Sequence, residues 1–348
     1  MSWEPQTSIA VPSPVSALSL GPGGSLIVGS ADGSVRWYML PSTKVVKAIK
    51  SVGEEIASIA WLFPKTEPAA IWVASGRRAL SFASDSPKMI NTAQDAIAVL
   101  DIGEDDDDVL NELSISENGK YLAFSSDSGA VGIVDLASKV ITRMKNRHTT
   151  ICGSVKFIPD RPNEIVSGGY DSAVLHFDIG QGSILSRYDI TAPAPSEGAT
   201  VSLSPPFVHS LSVSSSGLIV VSTADGRVWL GGGGEKRLDG KKKRSRKWEG
   251  LREDDRIWLQ VADGPIVSAA FTNADRFLTC SLLGALAEYS VSRDSDGKLV
   301  AAKGWSTSTG GLEKVNAMAA GHCRIVVGGF AKDGKGVAEV WHTVEQEL

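Results

Sequence analysis

Cysteine is scarce. Three residues, Cys152, Cys280 and Cys323, lie far apart in a chain of 348. That excludes the close ligand spacing of a structural zinc site and gives no disulfide framework. No apolar run approaches the roughly 18 residues of a membrane helix, and no Asn-X-Ser/Thr sequon occurs. Met1 is followed by polar, Pro-containing sequence, so no secretory leader is expected. Long amphipathic helical patterns are missing too, which disfavours folds that need a helix between successive strands. Basic excess is absent: the formal net charge of −5 disfavours a general nucleic-acid binder. What remains is ordinary globular composition, expected in the nucleus, the cytoplasm or both, as a monomer without membrane contact.

What the chain does have is a repeat. The plan is an alternating apolar strand, a turn, a second strand ending in small residues, a tight turn, and a third strand with an aromatic near its end. The clearest copy reads ICGSVKFIPDRPNEIVSGGYDSAVLHFDI from Ile151. First strands begin near Val15, Ile56, Val109, Ile151, Val208, Ile266 and Val315, at intervals of 41 to 58 residues. Each strand is short with period-2 apolar spacing, as a half-buried antiparallel strand requires. Hairpin pairs recur between the second and third strands, among them Asp32-Gly33, Ser128-Gly129 and Asp225-Gly226. The fold implied is all-β: one seven-bladed β-propeller over residues 1–348, with a basic insertion at about 231–250. The last blade supplies only three strands before the chain nearly ends. The apolar stretch Trp3 to Val11 is therefore expected to become its outer strand and close the ring.

Blade four carries a constellation of its own. His148 precedes the first strand, Ser167 lies four residues before Asp171, and Phe177 six residues after it. This resembles the buried His, Ser/Thr, Asp and Trp network of WD40 repeats, with Phe177 in place of Trp and its indole donor lost. The run RHTTICGSV…RPNEIVSGGYD, with PPFVHSLSVSSSGLIVVSTADGRVW and EKVNAMAAGHCRIVVGGF, resembles the family of WD repeat-containing protein 53. That resemblance implies a WD40-type propeller acting as a candidate substrate receptor of a cullin-RING ubiquitin ligase. Such receptors dock on the ligase's damage-binding adaptor through Trp-Asp-X-Arg. Here Phe177-Asp178 is followed by Ile179 and Gly180, and Val134-Asp135 by Leu136 and Ala137. Neither fourth position supplies the planar guanidinium.

Other candidates weigh against plainer readings. His148, Ser167 and Asp171 imitate a nucleophilic triad, but their spacing is that of the repeat, so an orienting network is expected. Gly329, Gly334 and Lys335 approach a phosphate loop, yet Gly336 stands where Ser or Thr should follow. The acidic run Glu104 to Asp108 lacks calcium-loop spacing and reads as a solvated loop entering blade three, with contact to a basic partner as the alternative. The basic run Lys241, Lys242, Lys243, Arg244, Arg246 and Lys247 reads as a solubilising loop or as a segment that import receptors bind, and less well as a nucleic-acid contact, since Trp248 and Trp258 resume strands rather than form stacking platforms. Trp61 and Trp72 read as inter-blade core. Tyr170, Arg77, Asp127 and Leu282 occupy tight turns on the top of the propeller and are the candidate partner contacts.

The five histidines are scattered, with no repeated His/carboxylate cluster, so no enzyme, metal or cofactor is expected. The expected function is a protein–protein interaction scaffold. A dedicated assembly factor or chaperone-like cap for a single client is the alternative.

Overall fold

The computed structural model describes residues 2–63, 69–191, 204–235 and 247–344. They form seven sheets, antiparallel except for one added strand in blade one, and among them there is no α-helix, only two 3-10 turns at 22–24 and 93–95. First strands are Val15–Leu20, Ile56–Leu62, Leu110–Ile115, Cys152–Ile158, Val208–Val213, Ile266–Phe271 and Lys314–Ala320, within one residue of the sequence expectation. Each first strand lies beside that of the next blade, and the seventh lies beside the first. These strands therefore line the axis of a closed seven-bladed β-propeller.

Two devices repeat around the axis. Every first strand carries a β-bulge near its start, at Ser16, Ala57, Asn111, Gly153, His209, Val267 and Asn316, the second residue in six blades and the third in blade seven. Where the bulged residue is a suitable donor it bonds the next blade's backbone. Ser16 Oγ donates to Ile56 O (2.7 Å), Asn111 Nδ2 to Cys152 O (3.1 Å) and Asn316 Nδ2 to Val15 O (2.9 Å). The following position accepts: Ser58, Ser154 and Ser210 take the amides of Leu113, Leu211 and Ala269. Adjacent sheets are thus joined by polar bonds as well as by packing.

The small residues of the second strands have a packing cause. A Cβ on Gly29 would sit 2.5 Å from Ile56, on Gly168 2.3 Å from Val208, and on Gly328 2.5 Å from Val15. In each case the first apolar residue of the next blade fills that space. Second strands such as Ala70–Ser75 are buried throughout because neighbouring blades cover both faces. Trp72 belongs to a core with Leu113 and Phe124 of blade three, while Trp61 meets Trp37 of blade one edge to face.

Ring closure uses the N-terminus. Ser2–Val11 pairs antiparallel with Gly336–Val344 as the outer strand of blade seven. Trp3 anchors it, 3% exposed, with its indole Nε1 donating to Glu288 of blade six at 3.1 Å. Closure covers the outer edge of Gly336–Val344, which would otherwise be open to pairing with another chain. One irregularity was not visible in the repeat: Ile90–Thr92 leaves blade two and adds a parallel fifth strand to blade one.

Candidate functional site

Blade four holds its constellation together. His148 Nδ1 lies 2.8 Å from Asp171 Oδ1, and its Nε2 lies 2.8 Å from Ser167 Oγ. The Thr149 amide donates to Asp171 Oδ2 at 3.0 Å. Burial pushes the Asp171 carboxyl up, but the His148 bond and charge and the Thr149 and Ala173 amides outweigh it and hold it below its ordinary value. Both glycines before Tyr170 are needed. Gly168 admits Val208, and a Cβ on Gly169 would meet His148 Nδ1 at 2.4 Å. Phe177 is fully buried but contributes no donor. The distances match a Ser-His-Asp relay, yet Ser167 has no exposed surface and His148 only 1%. The hydroxyl is thus closed off from solvent, and the bonds it shares tie the turn to the segment before the first strand.

Other blades fasten the same turn with different residues. In blade three Asp108 accepts the amides of Ser128 and Glu104, both at 2.8 Å, and is 3% exposed. The acidic run is therefore not simply solvated. Its last member is a buried clamp, and Glu104 and Asp106 pair with Arg147 and Arg77. In blade five Asp225 holds Arg227 at 2.6 Å and accepts the Thr223 hydroxyl at 2.5 Å. In blade seven the bond is elsewhere: Glu339, on the third strand, accepts the amides of Gly310 and Gly311 in the loop before the first strand. The segment resembling a phosphate loop is a β-hairpin, with Lys335 paired to Asp333 in its turn.

The four candidate contacts all sit in hairpins between second and third strands, at the end of the ring where the first-strand bulges lie. Their environments differ. Arg77, on a shorter turn, is committed to Asp101 (2.6 Å) and Asp106 (2.5 Å). Leu282 is half-buried, while its neighbour Leu283 is 78% exposed. Asp127 accepts from Asn111 Nδ2 at 2.9 Å. Tyr170 stacks on Phe207, with ring centroids 5.6 Å apart and planes 11° from parallel, and His209 meets it edge-on at 5.4 Å. Gly153, the bulged residue of blade four, leaves room for the Tyr170 ring. Burial and the Asp127 charge push the Tyr170 phenol up, and burial pushes His209 down. Phe207 and His209 were not singled out in the sequence. Their signal is VHS in the bulge register of blade five, which places His209 beside the preceding turn.

A second buried polar cluster was also missed. His176, without exposed surface, lies 2.8 Å from Glu164 Oε2 and 3.0 Å from Ser186 Oγ. Glu164 also accepts from Arg161 (2.7 Å) and from the Trp248 amide (2.9 Å). Burial opposes ionisation of Glu164, but the bonds from His176, Trp248 and Arg161 win and hold its pKa at about 2. Hairpin register pairs Val166 with His176 and so brings Glu164 near. This cluster binds the C-terminal base of the blade-five insertion to blade four, where Lys247 Nζ also donates to Leu185 O. Lys241, Lys242, Lys243, Arg244 and Arg246 lie outside the described residues.

Among the described residues no group of three His, Cys, Asp or Glu is placed to hold a metal, and no helix is long and apolar enough to cross a membrane. A cavity of about 280 Å³ at the outer rim of blade two is lined by loop residues including Lys88, Asn91, Asp95 and Ile97.

Comparison with known proteins agrees with this geometry. Residues 3–38 match the family model "WD domain, G-beta repeat". They span the closing strand and the first three strands of blade one, so the sequence unit and the structural blade are offset by one strand. Over 134 residues the chain is 28% identical to the WD repeat-containing protein 53 homolog of Dictyostelium discoideum. That match covers 34% of this chain and 36% of that protein, about a third of each. The protein is a seven-bladed β-propeller of the WD40 type.

Proposed function

We propose that this protein is a non-catalytic interaction scaffold that receives a partner protein on the face carrying the second-to-third-strand hairpins. The observation that carries the reading is the Tyr170–Phe207–His209 cluster, aromatic and only half-buried, at the inner end of that face. Aromatic side chains held rigidly at low conformational cost are the usual anchors of protein interfaces.

The finer reading, a substrate receptor of a cullin-RING ligase, rests on the likeness to WD repeat-containing protein 53. It meets a chemical obstacle at the third-strand ends. Gly180 and Ala137 are exposed there but carry no guanidinium for a bidentate contact. A dedicated assembly factor for one client needs only the face itself. Affinity purification with mass spectrometry tests the proposal. A recurrent partner lost on Tyr170→Ala supports the scaffold reading, and co-purification of the ligase adaptor supports the finer one. A partner set unchanged by Tyr170→Ala contradicts the placement on this face.

A further inference from the structure

We infer that the sector between Asp127 and the Tyr170–Phe207 stack receives a basic side chain, lysine or arginine, from an extended segment of the partner. This rests on the scaffold reading above and gives the partner a chemistry.

The first observation is charge. Residues 101–127 carry nine acidic side chains and one basic, Lys120. Arg77, Arg143, Arg147 and Lys156 reach in from other parts of the chain to pair with Asp101, Asp106, Glu104 and Glu112. The stretch therefore remains net acidic after every such pair is formed. It leads directly into the candidate sector, since the Asp127 amide donates to Val109 O and Asp108 clamps Ser128. Asp127 itself meets no lysine or arginine within ion-pair distance among the described residues, and its one side-chain partner is the neutral Asn111.

The second observation is the aromatic wall. Tyr170 stands on the turn of blade four, next round the ring from the Asp127 turn, with Phe207 stacked against it on the side of blade five. Aromatic faces attract ammonium and guanidinium groups, more strongly as water is excluded. A carboxylate on one side and a phenol ring on the other is a pairing suited to a cation. The remaining titratable group adds no repulsion: burial disfavours the charged form of His209, so it stays neutral at physiological pH. A lysine or arginine stem would lie along the apolar ring edges while its head met Asp127.

The test uses the full chain and two short fluorescein-labelled peptides, one alternating glycine with lysine and one glycine with norleucine, read by anisotropy. The lysine peptide is expected to bind about tenfold more tightly and to weaken as salt rises to about 0.3 M. Asp127→Asn and Tyr170→Ala should each weaken it about fivefold, whereas Tyr170→Phe, which keeps the ring face, stays near wild type. Unchanged melting temperatures establish that the variants fold. Equal binding of both peptides, or indifference to Asp127→Asn, overturns the inference. Affinity purification with the same variants separates the two readings. A cellular partner lost with Tyr170→Ala but kept with Asp127→Asn overturns the basic-segment assignment and leaves the scaffold. A partner kept with both overturns the two together.

Discussion

Replacing Trp3 by alanine should weaken the closure of the ring by an amount that the structure allows to be estimated. The indole is 3% exposed and packs among Leu278, Leu286, Val327 and Trp341, so the substitution opens a cavity between blades six and seven. Truncation of a buried tryptophan costs about 3–5 kcal/mol. It also strips Glu288, 5% exposed, of its indole donor. For a chain of this length the unfolding entropy scales to about 0.7 kcal/mol per degree, so about 4 kcal/mol lowers the melting temperature by about 5–6 °C. Trp3→Phe separates the two contributions. It keeps most of the apolar volume and loses only the hydrogen bond, for about 2 kcal/mol or about 3 °C. Removing residues 1–11 deletes the whole outer strand and should lower it at least as far as Trp3→Ala does. Differential scanning calorimetry at one protein concentration reads all three. A Trp3→Ala melting temperature within about 1 °C of wild type would refute the reasoning, because it would mean that the outer strand does not hold blade seven.

Two further outcomes follow from buried groups. Glu164 is ionised in the fold down to pH about 2 but would titrate near its ordinary value when unfolded. Its contribution is therefore fully present above about pH 4.5 and is lost as pH falls toward 2, on the order of 3 kcal/mol. Glu164→Gln should lower stability at neutral pH and flatten the acid limb of a urea-midpoint series, and parallel limbs would count against the cluster. Burial pushes Cys152 and Cys280 to about 12, while Cys323 is exposed. A disulfide reagent at mildly alkaline pH should titrate one thiol in the native protein and all three in denaturant. Two or more fast native thiols would contradict the packing.

The fold was legible because a propeller writes its geometry into spacing. Alternating strands, hairpin glycines and small second-strand residues recur whatever the individual blade does with its polar groups. Even the N-terminal strand was legible, since blade seven was one strand short. The polar clamps were less so. Blade four kept the His148–Ser167–Asp171 spacing, but blade three performs the same task with Asp108 and Ser128, and blade five with Asp225 and Arg227. Blade three exchanges donor for acceptor, with the turn amide of Ser128 donating to Asp108, whereas blade five keeps the turn carboxylate and pairs it within its own hairpin. Sequence pattern marks the position only. The same limit explains Phe207 and His209. They join Tyr170 from another blade, across a sequence separation of about 40 residues that the repeat alone does not convert into contact. The Glu164–His176 cluster lies closer to the sequence, because one hairpin register brings its two members together.

The account centres on the face around Tyr170 as the place where a partner protein is held. Quantitative affinity purification comparing wild type with Tyr170→Ala, at matched bait levels and with both proteins shown to melt alike, tests that most directly. The account predicts that a partner recovered with wild type falls severalfold with the variant while proteins captured elsewhere on the ring do not change. Equal recovery of every partner would contradict it.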